Sequence, residues 1–165
     1  MRDANVPPEN RPASPEFFAF VSANVVGMLL VAMADGKLHW NEHEAIVEAM
    51  RVLGDHVSAQ QTLTFLDETA HLLEAISADE WPTFFHPVRR LPPHRKELLL
   101  GMATRIAFSD SHLSVEESRL IHKIADWIEA NGKSRRIWKR DVHTALAIGR
   151  QRGFTYTGVE NLELV

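Results

Sequence analysis

The chain predicts an all-α fold, a single-domain bundle of about seven helices in two pseudo-symmetric halves. Three observations lead there. Apolar residues recur at helical spacing, and no segment alternates as a strand should. Capping residues, prolines and glycines bracket the apolar runs where helices start and stop. One short motif is written twice at equivalent helix boundaries. Asp35-Gly36-Lys37-Leu38 with Glu42 returns as Asp110-Ser111-His112-Leu113 with Glu117, an offset of 75 (110 minus 35). At that offset Ala32 matches Ala107 and Ile46 matches Ile121.

Residues 1–14 hold Pro7, Pro8 and Pro12 without a hydrophobic period and form an expected flexible tail. The helical domain is expected over residues 15–149. Ser14-Pro15-Glu16 gives the first helix a hydroxyl cap, a first-turn proline and an acid at the positive end of its dipole. That helix reaches about Ala34 and is apolar nearly all round, which assigns it to the centre of the bundle. It carries Ser22 and Asn24 and stops at Asp35, short of the roughly 20 apolar residues a membrane span needs.

A second helix is expected from about His39 or Trp40 to Leu53, with Ile46, Met50 and Leu53 as its stripe. Gly54 ends it, and Ser58 caps a third over about Ala59 to Ile76. Asp79-Glu80-Trp81-Pro82 opens a short helix that Pro87 kinks or ends. A fifth helix, about Pro93 to Phe108, repeats the part of the first, with Arg105 interrupting its apolar surface. Ser114 and Glu117 form a capping box for a sixth, which runs to Ala130 and stops at Asn131-Gly132. Ser134 caps a seventh, about Arg135 to Ile148. Residues 150–165 are expected to form a C-terminal tail that Phe154, Tyr156, Val159, Leu162 and Leu164 dock on the surface in a β-like or irregular conformation.

Composition removes several functions. The net charge of −4 argues against a nucleic-acid partner held through phosphates. With no cysteine, disulfides and thiolate metal sites are excluded, and a reducing, cytoplasmic setting suits the chain. There is no signal-peptide core, no Gly-x-Ser-x-Gly, no phosphate-binding glycine loop and no His-Glu-x-x-His. The run Lys133-Ser134-Arg135-Arg136-Ile137-Trp138-Lys139-Arg140 is the one cationic patch. It is a solvated helix end or a peripheral contact for an acidic partner or anionic lipid. The tryptophans are expected in the core or at its rim.

The acidic turns admit two readings. As structure, Asp35 and Asp110 accept backbone N–H groups in their turns, and Glu42 and Glu117 complete helix caps. As chemistry, Asp35, Glu42, Asp110 and Glu117 converge across a pseudo-two-fold axis and hold a hard divalent cation, since crowded carboxylates repel without one. Ca²⁺, Mg²⁺ or Mn²⁺ is then favoured over Zn²⁺. His39, His43 and His112 are additional candidate ligands, the first two four residues apart on one helix. The spacing is not an EF-hand: the third and fifth positions lack oxygen ligands and Ile46 stands at the twelfth.

These two copies, each after an apolar helix and before an amphipathic one, resemble the TerB-like (tellurite-resistance protein B) family over about Phe17 to Ile148. The second copy departs from the pattern where Ser111 replaces the glycine. The resemblance implies an all-α protein of two similar halves, linked with tellurite resistance and stress responses in bacteria. A divalent cation has been proposed for the family's acidic turns, which by position are Asp35, Glu42, Asp110 and Glu117 here. A non-enzymatic, cation-binding stress protein that passes its state to another protein is therefore expected, without an organic cofactor and with room for a homodimer. The alternatives are an interaction module whose acidic turns are only caps and whose working surface is an exposed groove between the halves, and a metal-dependent hydrolase.

Overall fold

The computed structural model describes residues 15–34, 44, 46–48 and 59–163. Its helices are α1 (Pro15–Ala32), α2 (Ala59–Ala75), α3 (Pro93–Ala107), α4 (Val115–Trp127) and α5 (Gly132–Gln151). Three 3₁₀ segments, Ala78–Arg90, Phe108–Asp110 and Val159–Glu163, join or follow them. Residues 44 and 46–48 are also helical, within the span expected for the second helix. Among the described residues there is no strand, only an isolated bridge between His112 and Thr157. The expected caps Ser14 and Ser58 lie outside the described residues.

Helix α1 is the centre because its composition leaves it no solvent face. Val25, Val26, Met28, Leu29, Leu30, Val31 and Ala32 are all buried. Such a run covers every direction around a helix of 3.6 residues per turn. Burying each of the larger side chains contributes about 1.5–3 kcal/mol. α2, the first 3₁₀ segment, α3 and α4 all pack against α1. One polar group is enclosed with them. The Asn24 amide donates to the Phe20 carbonyl at 2.8 Å, but its Oδ1 has no partner among the described residues.

The internal repeat is expressed in the packing. Ala32 and Ala107, and Ile46 and Ile121, are buried alike. The correspondence extends past the third helix of each half. Trp81 shares the lining of a small cavity with Met33, and 75 residues on Tyr156 meets Phe108 edge-to-face at 5.9 Å.

Several boundaries differ from expectation. Pro87 neither kinks nor ends its segment, because residues 78–90 are one 3₁₀ run. With three residues per turn, Pro82, Phe85, Val88 and Leu91 fall on one side, and Phe85 and Val88 are fully buried. Helix α4 ends before Asn131-Gly132. Glu129 takes the left-handed conformation (φ 56°), and Ala130 N–H reaches the Ala125 carbonyl while Glu129 N–H reaches that of Asp126. This is a Schellman ending with glutamate where glycine is usual. Cations satisfy carbonyls left over at that end: Arg89 donates to Trp127 O, Lys96 to Glu129 O and Arg135 to Ala130 O.

The early stop frees Asn131 to cap α5, its Oδ1 accepting from Ser134 N–H at 2.8 Å. Ser134 is thus a buried first-turn residue rather than the cap, and its hydroxyl donates to Glu97. The basic run that follows is partly neutralised within the fold. Arg135 pairs with Asp126 at 2.6 Å, Lys139 with Glu163 at 3.2 Å and Arg140 with Asp141 at 3.6 Å. Trp138 is buried, Trp81 and Trp127 sit at the rim, and Trp40 lies outside the described residues. No helix among the described residues is long and apolar enough to cross a membrane.

Candidate functional site

The second acidic turn is built from residues 108–117. α3 tightens into the 3₁₀ turn Phe108–Asp110, and Ser111 then reverses the chain at φ 66°, ψ 11°. This is the position at which the first copy carries Gly36. The left-handed conformation is what glycine adopts freely and what serine occupies at a cost. Asp110 Oδ1 accepts the His112 N–H at 3.0 Å, an Asx-type turn that supports the reversal. Its other oxygen has no hydrogen-bond partner among the described residues, and the side chain is exposed. Beside it the Ser109 hydroxyl is shielded from solvent without a partner among those residues.

Leu113 plugs the turn into the core. Ser114 then starts α4 with a full capping box: its N–H donates to Glu117 Oε1 at 2.9 Å and its Oγ accepts Glu117 N–H at 3.1 Å. Glu117 is buried in doing so. Asp110 and Glu117 therefore both work as turn and cap groups here. They remain hard oxygen donors, suited to Ca²⁺, Mg²⁺ or Mn²⁺ rather than a soft metal. Among the described residues no three acidic or histidine side chains are grouped to hold a metal. Asp35, His39, Glu42 and His43 lie outside those residues, so the expected convergence of the two turns does too.

The chain's C-terminal segment closes over this turn. Thr157 N–H donates to Ser111 O at 2.9 Å, and Leu113 N–H donates to Thr157 O at 3.1 Å. The His112 ring is fixed to the same residue, with Nδ1 2.7 Å from Thr157 Oγ1. Asn161 Nδ2 donates to Leu113 O at 2.8 Å, and the Ser118 hydroxyl donates to Asn161 O. Gly158 is at φ 74°, and a Cβ there would overlap the Leu113 carbonyl, so the approach requires glycine. Beyond it Leu162 is fully buried and Glu163 meets Lys139 and His143.

Another histidine lies beneath this face. Both His122 ring nitrogens are buried without a hydrogen-bond partner among the described residues, and the ring stands edge-on to Trp138 at 5.6 Å. Burial first, then the charges of Lys139 and Arg135, hold its pKa below the ordinary 6.5, against the opposite pull of Asp126 and Glu163.

A groove of about 670 Å³ runs between α3 and α5, with Leu98, Gly101 and Arg105 on one wall and Asp141 and Ala145 on the other. Its floor is fixed by Thr104, which donates to Leu100 O at 2.7 Å and accepts Trp138 Nε1–H at 2.9 Å. The sequence singles out Arg105 and suggests a groove between the halves, whereas this groove lies within the second half. The repeat held the signal. The positions 75 residues earlier, Ala23, Leu30 and Leu66, are apolar and buried, whereas Leu98, Arg105 and Asp141 are exposed.

An all-α protein with an internal sequence repeat and a carboxylate-bearing turn after the leading helix of its second half is the class these features define. The family model described as tellurite resistance protein TerB matches residues 25–139. The chain belongs to the TerB family. No curated protein and no solved structure matches it.

Proposed function

We propose that the chain acts without catalytic turnover as a TerB-type stress-associated protein that takes a hard divalent cation at its acidic turns. The observation that carries this is Asp110. Its carboxylate stands exposed on a turn braced from both sides, with one oxygen supporting the turn and the other without a partner among the described residues. The repeat supports a matching role for Asp35, and by sequence position for Glu42 and Glu117. A cation would be held by carboxylate oxygens, and its charge would relieve their mutual repulsion.

The test is calorimetric titration of chelator-stripped protein with Ca²⁺, Mg²⁺, Mn²⁺ and Zn²⁺, beside an Asp35→Asn, Asp110→Asn double variant. Saturable binding of one of the first three, lost in the variant, is expected. A flat titration of the unaltered chain at millimolar metal refutes the proposal. It would favour the second reading, an interaction module, for which the completed Ser114–Glu117 capping box and the open α3–α5 groove speak.

A further inference from the structure

We propose that the chain self-associates head to tail, the acidic face of α2 in one copy docking antiparallel on the basic face of α5 in the next. The contact needs no cation and stands apart from the reading above.

The two helices are counterparts in the repeat: shifted by 75 residues, Ala59–Ala75 falls within Gly132–Gln151. Their charges are opposite. α2 carries Asp67, Glu68 and Glu74 and no lysine or arginine, a net −3. α5 sets six lysines and arginines against Asp141, a net +5 in a chain of −4 overall. The fold holds them apart, α2 on α1 and α5 on α3. Among the described residues no ion pair joins α2 to α5.

Both faces are open. Asp67, Glu68 and Glu74 are exposed and form no ion pair among the described residues. On α5, Asp126 and Glu163 neutralise Arg135 and Lys139. Lys133 and Arg136 stay exposed with no ion pair among those residues, and Arg140 lies 3.6 Å from Asp141 with 71% of its side chain exposed. Both sets also oppose their own helix dipole. Glu74 stands in the last turn of α2, at the negative end, and Lys133 in the first turn of α5, at the positive end. Antiparallel docking brings these two ends together, so each unfavourable charge meets its opposite.

The spacing agrees. Asp67 and Glu74 are seven residues apart, as are Lys133 and Arg140, about 10 Å along each helix. Antiparallel, Glu74 of one copy meets Lys133 of the next and Asp67 meets Arg140. Apolar groups flank both rows: Leu72, 47% exposed, one turn after Glu68, and half-buried Ile137, one turn from Lys133 and from Arg140. Because the two faces differ, the contact repeats from copy to copy, giving a ring or an open chain rather than a closed dimer.

The experiment is analytical sedimentation of the full chain from micromolar to millimolar, with chelator present throughout. It is run at about 10 mM and about 1 M salt, where the screening lengths are about 30 and 3 Å. At low salt the mass is expected to climb with concentration from the 18.7 kDa of one chain past that of two, and at high salt to return to one chain. Two variants each reverse one face: Lys133→Glu with Arg140→Glu, and Asp67→Lys with Glu74→Lys. Alone, each is expected to weaken self-association at least about tenfold, since like charges then meet. Mixed, the two offer opposite faces again and are expected to associate as the unaltered chain does. Circular dichroism checks that both keep their helices. An unaltered chain that stays at the mass of one copy at low salt overturns the proposal. So does association that survives both reversals, or a loss that mixing does not rescue.

Discussion

Removing the Glu117 carboxylate separates its work as a helix cap from any work as a ligand. In Glu117→Ala the Ser114 N–H loses a charged acceptor 2.9 Å away at a buried site. Losing a cap interaction costs about 1 kcal/mol, and leaving a buried donor without its acceptor about 1–3 kcal/mol. The two overlap, so about 1.5–3 kcal/mol is expected in all. For 165 residues, an unfolding entropy near 2.1 cal/mol/K per residue gives about 350 cal/mol/K. The melting temperature should then fall by about 4–9 °C. Glu117→Gln keeps an acceptor oxygen and should lose less than half of this. Thermal melts followed by circular dichroism, in chelator and with no added metal, read both variants. A Glu117→Ala chain melting within about 1 °C of the original would refute the claim that this carboxylate is a buried cap.

Thr104→Val strands the buried Trp138 indole N–H and should cost about 1–3 kcal/mol in urea unfolding, with a change in tryptophan emission. Asn24→Leu keeps the side-chain branching and removes a buried oxygen without a partner among the described residues, and should raise stability by about 1 kcal/mol in the same assay. Ser111→Gly relieves a left-handed serine, partly offset by the extra freedom of glycine when unfolded. It should gain about 0.5–1 kcal/mol. His122 links stability to pH. Its folded pKa lies below the 6.5 of the unfolded chain, so on acidification the unfolded chain takes up the proton first. Stability should fall as pH drops through 6.5 and flatten below the folded pKa. Urea midpoints of His122→Phe between pH 7.5 and 5 should show a shallower fall than those of the original chain.

What the sequence disclosed depended on how local the cause was. The Ser114–Glu117 capping box was legible because both partners lie within one turn of helix. The centrality of α1 was legible because it is a matter of composition. The start of α5 was not, since Asn131 and Ser134 are both good caps, and the choice fell to the left-handed Glu129 that ended α4 early. A short helix opening at Asp79 was legible, but its 3₁₀ form and its passage through Pro87 were not, because they depend on Phe85 and Val88 repeating at three residues and burying in the core. Docking of the C-terminal segment was expected from its apolar residues, but its seat was not. Thr157 finds its partners about 45 residues back, a pairing no local pattern encodes. For the candidate site, Asp110 and Glu117 were marked by the repeat, while Ser111 taking the conformation of the missing glycine became visible only in the fold.

The central place of α1 has a consequence during synthesis. The most apolar of the described helices is made before the elements that cover it. Ala32 precedes Trp127, the end of α4, by 95 residues (127 minus 32). At roughly 5–20 residues per second, α1 leads its complete cover by about 5–20 s. During that interval the helix gains its cover piece by piece, from α2 and the 3₁₀ segment to α3 and last α4, and stays partly open until the end. The growing polypeptide therefore offers chaperones a hydrophobic handle, which disappears once α3 and α4 close over it.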